Sequence, residues 1–299
     1  MSILNRPSDG LFNVLIALTK CLVSQGSMSR QKLLDLCIPK SLDPKQDMAT
    51  KTLNRWVELG VFDSDKDDTV SIAEPFKKSL NKKNYSLQEL VLAISDRVFS
   101  ESNNENFWAS EENRSADFSR AQAWMLMQDV YAFNPKSYKE VEKAATEQMV
   151  AKEFSVFTND TRWSGFSSWS EFLGFGNSLF GAFSIDPTEA IRPHLNSIVP
   201  PKGSLAIADF VDAISHKIPV LDGGVFRNLV VEKVNSSKWD APKANELSTS
   251  LSRSLLRFNA DDTIKLENKA DAKEKRVLAG KSKAQLETVS HVRAGENLS

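Results

Sequence analysis

The stretch from Met48 to Pro75 constrains the fold more than any other, because it sets a helix, a glycine and a hairpin in direct succession. On a helical period its apolar side chains fall on one side and its polar side chains on the other. Gly60 follows, and glycine suits the positive φ that often ends a helix. Val70 and Ile72 then stand at strand spacing after a run of aspartates, which predicts a short hairpin. This succession is typical of the end of a winged helix-turn-helix.

The polar side of this helix is a candidate DNA contact, because the last helix of such a unit lies in the major groove. Arg and Lys contact phosphate or guanine there, and Asn contacts adenine. This interpretation assigns DNA contact to Thr50, Lys51, Asn54 and Arg55. The competing interpretation is a solvated face in a protein-interaction module. The predicted wing carries four aspartates against one lysine, and an acidic wing repels phosphate, so both interpretations stay open.

Two further helices are predicted upstream of this stretch. Leucines at helical spacing indicate one that ends near Gly26, and Ser29 can cap a short second one that Pro39 ends. Three helices and a hairpin within about 75 residues match the size of one winged-helix unit.

Charge divides the chain into three predicted domains. Residues 1–83 hold 13 Lys/Arg and 10 Asp/Glu, a net of +3, and form the predicted winged helix-turn-helix. Residues 84–200 hold 9 and 16, a net of −7, and are predicted to be a helical, aromatic-rich middle domain. Residues 201–299 hold 16 and 13, a net of +3, and are predicted to be a second winged-helix-like domain with a basic C-terminal stretch. The predicted fold class is therefore mainly α with small β-wings.

The middle domain contains a capping box at Ser86 to Glu89, which predicts a helix start. Its other distinctive feature is a series of aromatic residues at a spacing of three. In one interpretation they fill the core of a helical domain, and in the other some of them form a stacking platform for an unpaired base. The residues are Trp163, Phe166, Trp169, Phe172 and Phe175.

The C-terminal domain repeats the architecture of the first without repeating its sequence. A helix predicted from Ala244 to Phe258 carries leucines on one stripe, and a strand from Thr263 to Leu266 follows it. Leu256 falls on the polar face, where it packs under the wing or meets a partner. The opposite face supplies the second set of candidate DNA contacts, namely Thr249, Ser252, Arg253 and Arg257.

The stretch from Lys265 to Lys283 is the most basic in the chain, with seven Lys/Arg and three Asp/Glu. It is interpreted either as a nucleic-acid contact or as an ordinary solvated helix.

Catalytic chemistry is hard to assemble from these residues. His194, His216 and His291 are far apart and lack partners at zinc spacing, and no Gly-rich segment continues as a phosphate-binding loop. Cys21 and Cys37 lie in apolar patterns, which favours inert thiols in a reducing compartment. We therefore predict a cytoplasmic protein that is not an enzyme and needs no metal or cofactor. Apolar runs too short for a bilayer predict no membrane partner.

Five segments carry a family resemblance that covers Ser2 to about Leu266, namely SILNRPSDGLFNVLIALTKCL, TLNRWVELGVF, RWSGFSSWSEFLGFG, IDPTEAIRPHL and PVLDGG. Together they resemble the DpdG family. That family is encoded in bacterial clusters that insert 7-deazaguanine derivatives into DNA and restrict unmodified phage DNA.

The resemblance implies a partner protein in an antiviral defence cluster that also supplies a modification enzyme, helicase-like proteins and a nuclease. It supplies no catalytic residues. The first hypothesis is a non-enzymatic subunit that holds duplex DNA with its winged helices. The second is an adaptor that docks a helicase or nuclease of the same system, and the third is a transcriptional regulator. The sequence leaves the oligomeric state open.

Overall fold

A computed structural model describes residues 2–4, 11–42, 44–109, 114–150, 157 and 159–298. These residues are mainly helical with small antiparallel sheets, as the sequence predicts. They group into two compact units. Unit 1 contains residues 1–117 and 164–172, and unit 2 contains residues 118–163 and 173–299. The boundaries of the three predicted domains stay a prediction.

The described residues form twelve α-helices and ten short strands. The α-helices are α1 (Leu11–Gln25), α2 (Arg30–Cys37), α3 (Asp47–Glu58), α4 (Leu87–Val98), α5 (Ala116–Met127), α6 (Tyr138–Gln148), α7 (Asp160–Phe172), α8 (Thr188–Ile191), α9 (Leu195–Ile198), α10 (Ile207–Lys217), α11 (Val225–Val231) and α12 (Thr249–Ala260). The strands are β1 (Met28–Ser29), β2 (Phe62–Ser64), β3 (Thr69–Ile72), β4 (Gly176–Leu179), β5 (Ala182–Ile185), β6 (Leu205–Ala206), β7 (Ile264–Glu267), β8 (Arg276–Ala279), β9 (Gln285–Val289) and β10 (His291–Ala294).

In unit 1, helices α1 to α3 surround a core that a small sheet closes. The sheet has the order β1-β3-β2, with Met28 opposite Val70 and Phe62 opposite Ile72. Trp56 of α3 is buried and its ring centroid lies 5.4 Å from that of Trp169. Full burial of a large apolar side chain contributes about 1.5–3 kcal/mol, so α3 is fixed mainly by its apolar side.

Helix α3 ends where the sequence predicts, at a glycine with positive φ. Gly60 has a φ of 81°, and the amide of Val61 donates to the carbonyl of Trp56. The predicted capping box also forms, because the Ser86 hydroxyl accepts from the amide of Glu89 at 3.1 Å at the start of α4. Local signals of this kind depend on neighbouring residues alone, and the sequence contains them in full.

Unit 2 contains a second three-stranded sheet, with the order β6-β10-β7. In both sheets the strand that comes last in the chain lies in the middle. Its middle strand, β10, pairs with β6 on one side and with β7 on the other. Two separate hairpins, β4-β5 and β8-β9, belong to the same unit. Because β8 and β9 lie between β7 and β10 along the chain, a second hairpin is inserted within what was predicted as a simple wing.

One predicted boundary and one interpretation of this region are wrong. Helix α12 begins at Thr249 rather than Ala244, because the Ser248 hydroxyl caps it by accepting from the amide of Leu251 at 3.2 Å. The basic stretch is not a helix but contains β7 and β8, since its backbone amides pair across strands.

Candidate functional site

The solvent face of α3 is the first candidate site, and the structure divides its four predicted contacts. Asn54 is exposed, and Thr50 and Lys51 are half-buried. Arg55 is 4% exposed, so its predicted place on the solvent face is wrong. It lies three residues after Thr52 and four before Leu59, both buried, and therefore on the inward side of the helix. DNA contact by these residues stays a prediction.

The β2-β3 hairpin of unit 1 is joined to α2 and α3 by one arginine. Arg30 Nε donates to Asp68 Oδ1 at 2.8 Å, and Arg30 Nη1 donates to Asn54 Oδ1 at 2.6 Å. The turn of the hairpin is exposed and acidic, with Asp65 Oδ1 accepting from the amides of Asp67 and Thr69. This arrangement neutralises one cation and leaves an excess of negative charge beside α3.

Exposed apolar side chains occur around the connection between α2 and α3. Leu36 is 53% exposed, Leu42 80% and Met48 40%. The ends of the two helices are held together by Gln46, whose Nε2 donates to Asp35 Oδ1 at 2.9 Å and to the carbonyl of Ile38 at 2.8 Å.

We name this surface the α2–α3 edge and define it by Asp35, Leu36, Leu42, Asp47 and Met48. Periodicity places Leu36 in the apolar pattern of its helix, and nothing in the sequence pattern distinguishes it from the buried leucines beside it. The signal that could have found this edge is the occurrence of apolar residues next to acids at a helix junction.

A second charged feature of unit 1 is the turn that follows the β2-β3 hairpin. Asn81 organises it, because its Oδ1 accepts from the amides of Lys83 at 2.9 Å and Asn84 at 3.2 Å and its Nδ2 donates to the carbonyl of Lys78. Lys77 pairs with Glu74. Lys78, Lys82 and Lys83 are exposed and form no ion pair within the part of the chain that the structure describes. We name residues 77–84 the lysine turn.

The second candidate site, on α12, is not a solvent face. Thr249 is 6% exposed and Ser252 is fully buried, so the prediction that they face water is wrong. Their hydroxyls serve packing within unit 2: Thr249 Oγ1 donates to the carbonyl of Gln128 at 3.3 Å, and Ser252 Oγ accepts from the amide of Ala279 at 3.0 Å. Small hydroxyl side chains can be buried in this way because each finds a backbone partner.

The two arginines of α12 also have internal partners. Arg253 donates to the carbonyls of Ile185 at 2.9 Å and Val130 at 3.0 Å, and its guanidinium lies 4.6 Å from the ring centroid of Tyr131. Arg257 is more exposed, and its Nη1 lies 2.7 Å from Asp186 Oδ2. Leu256 is half-buried. The four predicted residues therefore hold α12 within unit 2 rather than offering a free cationic surface.

The aromatic series contributes to packing in both units. Phe166, Trp169 and Phe175 are buried, and Trp163 and Phe172 are half-buried. The first four residues lie on α7, whereas Phe175 follows the helix and precedes the β4-β5 hairpin. Their burial fits the interpretation as core residues.

Of the candidate catalytic groups, Cys21 and Cys37 lie beside each other. Within the described ranges, no group of three His, Cys, Asp or Glu residues is arranged to hold a metal ion. Burial raises the pKa of the Cys37 thiol to about 12, with the neighbouring Cys21 adding to the effect. Burial and the nearby Lys217 lower the pKa of His194 to about 4. Cys37 is therefore a thiol and His194 a neutral imidazole at neutral pH.

The residues that the structure describes contain no helix with the length and apolar character needed to cross a bilayer.

Comparison with known proteins gives one match. A family model described as DpdG-like matches residues 1–272 of the chain. No curated protein and no solved structure matches the chain.

Proposed function

Because the chain belongs to the DpdG-like family, which points to a Dpd DNA-modification system, we propose that it is a non-catalytic subunit that docks another protein of that system. The docking surface is the α2–α3 edge of unit 1. In this role, the protein brings a helicase-like protein or a nuclease of the same cluster to the site where that partner acts.

The proposal treats unit 1 as a winged helix. The order α1, β1, α2, α3, β2, β3 and the sheet order β1-β3-β2 support this assignment. Helix α3 is then the recognition helix and the β2-β3 hairpin is the wing. Winged helices present one helix face and one wing to a partner, and charge decides which kind of partner that surface suits.

The charge around α3 favours a protein partner over DNA. Asp47 lies in the first turn of the helix, and Asp63, Asp65 and Asp67 lie on the exposed wing. Such a surface repels phosphate within about one Debye length, which is roughly 8 Å at physiological salt. A partner with basic side chains is attracted by the same surface.

The observation that carries the proposal is the exposure of Leu36, Leu42 and Met48, of which Leu36 follows Asp35 and Met48 follows Asp47 in the sequence. Apolar side chains beside complementary charge are typical of a protein–protein contact, because their burial supplies affinity and the charges supply orientation. The partner surface is therefore expected to be apolar at its centre and basic at its rim.

Co-purification with the other proteins of the cluster tests the proposal. The wild-type chain should hold its partner after nuclease treatment and at high salt, and the variant Leu36→Ser with Leu42→Ser and Met48→Ser should lose it. Leu87→Ser is the matched control, because Leu87 is 53% exposed in the same unit but outside the edge. Equal recovery of the partner by the triple variant and the control, or loss of the wild-type complex on nuclease treatment, contradicts the proposal.

A second candidate function, duplex DNA binding by unit 1, is favoured by the lysine turn. Three exposed lysines without carboxylate partners among the described residues suit phosphate contact, and Thr50, Lys51 and Asn54 on α3 would add contacts to the groove. In this candidate function, most of the cationic surface is the lysine turn, which follows the wing in the chain, and the recognition helix supplies the rest.

Duplex binding at several salt concentrations separates this candidate from the first. Phosphate contact gives a slope of log K against log[salt] of about −0.9 per neutralised phosphate, so Lys78→Glu with Lys82→Glu and Lys83→Glu should flatten the slope by about two to three. The control is a charge-matched triple substitution of exposed lysines in unit 2, at Lys139, Lys143 and Lys202. An equal effect of both triple variants, or no effect of either, excludes the lysine turn as the contact.

A further inference from the structure

A cavity in unit 2 is not used by either proposed function. Its volume is about 520 Å³, and it lies between the end of α5, the segment that leads into α12 and the β8-β9 hairpin. This volume falls within the range of about 300–1,000 Å³ typical of sites for small organic ligands. Its lining includes Met127, Asp129, Phe133, Trp239, Glu246 and Leu247.

Two aromatic side chains of the lining are held in place by their own contacts. Trp239 Nε1 donates to the carbonyl of Met127 at 3.2 Å. The Phe133 ring packs edge to face against Trp124, with centroids 5.7 Å apart and planes at 90°. Rings that are already oriented lose little entropy on binding, so they favour a flat ligand that can stack on them.

The polar groups of the lining are mainly acceptors. Three carboxylates, Asp129, Asp240 and Glu246, and one cation, Lys238, line the cavity. Glu246 is also paired with Lys243, whose Nζ lies 3.5 Å from Oε1. Asp129 uses Oδ1 to accept from the amide of Tyr131 at 3.0 Å, whereas its Oδ2 accepts no hydrogen bond from the described residues. The amide of Lys243 donates to Glu246 Oε2 at 3.1 Å and is the main cause of the lowered pKa of that carboxyl.

The amide side chains of the lining bond mainly to each other. Gln128 Nε2 donates to Gln148 Oε1, and Gln148 Nε2 donates to Gln128 Oε1, each at 3.0 Å. Gln128 Nε2 also donates to the carbonyl of Trp124 at 3.0 Å, so both of its N–H groups are used. An excess of carboxylates repels phosphate and attracts N–H donors.

We propose that this cavity binds an amino-substituted nitrogen heterocycle of the nucleobase class. The heterocycle stacks on Trp239 and Phe133, and its exocyclic amino group donates to Asp129 Oδ2. The ligand source is either a free nucleoside or an unpaired base of a nucleic acid, and in the second case the phosphates lie outside the cavity. The site is independent of the α2–α3 edge and of the lysine turn, which belong to unit 1.

Calorimetric titration of the full chain with nucleosides tests the proposal. Guanosine, cytidine and adenosine, which carry amino groups, should bind at least about tenfold more tightly than uridine, which carries none, as expected for hydrogen bonds to a charged acceptor. Their 5′-monophosphates should bind no more tightly than the nucleosides. Absence of binding by all four nucleosides, or equal binding of uridine, overturns the proposal.

Two variants locate the site. Asp129→Asn keeps an oxygen that accepts from the amide of Tyr131 but replaces Oδ2 with an amide group that donates. Guanosine, cytidine and adenosine should therefore lose about tenfold or more in affinity. Ala132→Trp fills the cavity from an exposed position and should abolish binding. Asp271→Asn and Ala270→Trp are the exposed controls and should bind as the wild type does. Wild-type affinity in both cavity variants overturns the proposal.

The source is distinguished by a single-stranded deoxycytidine hexamer compared with cytidine. Tighter binding of the hexamer, lost in Ala132→Trp, assigns the site to an unpaired base. Equal or weaker binding of the hexamer assigns it to the free nucleoside.

Discussion

Helices α3 and α12 both have twelve residues and the same amphipathic pattern, yet their polar faces have opposite environments. On α3 the polar positions other than Thr52 and Arg55 reach solvent, and on α12 most of them are buried. The side chains differ accordingly. The exposed face of α3 carries Asp47, Asn54 and Glu58, whereas the buried polar face of α12 consists mainly of serine and threonine. A periodic pattern therefore locates an apolar side but does not establish that the other side meets water.

The first test of this contrast compares changes in the free energy of unfolding, where we expect the largest effect. Arg253→Glu removes two donors to backbone carbonyls and brings a carboxylate beside those carbonyls. It should lower the free energy of unfolding by about 3 kcal/mol. Lys51→Glu at a polar position of α3 is the matched control and should change it by less than about 0.5 kcal/mol. Urea unfolding measures both, and equal effects would show that the two helix faces do not differ.

A smaller effect is expected for hydroxyl groups on the same two faces. Ser252→Ala leaves the buried amide of Ala279 without its acceptor and should cost about 1–2 kcal/mol. Thr50→Val, in which a half-buried hydroxyl is replaced at similar volume, should cost less than about 0.5 kcal/mol. Thermal unfolding of both variants gives the comparison, and a neutral Ser252→Ala would mean that Ala279 finds another partner.

Unit 2 should also lose stability in mild acid because of His194. Its pKa is lowered from 6.5 to about 4 in the folded chain, so the folded state binds the proton less readily than the unfolded state. The free energy of unfolding is therefore highest above pH 6.5, where His194 is neutral in both states. It falls as the pH drops from 6.5 toward 4, and this loss is complete below that range. Because His194 is partly exposed, we expect a loss of about 1 kcal/mol.

Hydrogen exchange of unit 2 peptides against pH measures this loss. The loss should be absent in His194→Gln. Peptides of unit 1 provide the internal control, since unit 1 contains no histidine. A His194→Gln variant with the same pH profile as the wild type would contradict this assignment.

The smallest stability effect is expected at the wing. Asp67 is exposed, and Asp67→Lys should change the free energy of unfolding by less than about 0.5 kcal/mol. The same substitution should nevertheless strengthen duplex binding by unit 1, because it replaces a repulsive charge with an attractive one. A salt-dependent binding assay checks this, and unchanged binding would show that the wing does not approach phosphate.

The sequence predicted the features that depend on near neighbours. The end of α3 at Gly60, the cap of α4 at Ser86 and the β3 strand were confirmed because each is specified within a few residues. Strands β6 and β10 were not predicted. They pair Ala206 with His291, and no local pattern records so distant a partner.

The candidate site was predicted less well than the fold for the same reason. Whether Arg55 or Ser252 meets water depends on what packs against its helix, which periodicity does not contain. The exposure of Leu36 was likewise a property of the helix junction and not of its own helix. A face rich in serine and threonine, in contrast to one rich in lysine and glutamate, is the sequence signal that would have favoured burial of α12.

The inserted β8-β9 hairpin has a practical consequence for fragments of this protein. The family match ends at residue 272, before β8, whereas the middle strand of the second sheet is His291–Ala294. A fragment cut at the end of the match would keep β6 and β7 but lose the strand that hydrogen-bonds to both. Expression of unit 2 therefore requires the chain to extend through Ala294, even though the similarity ends earlier.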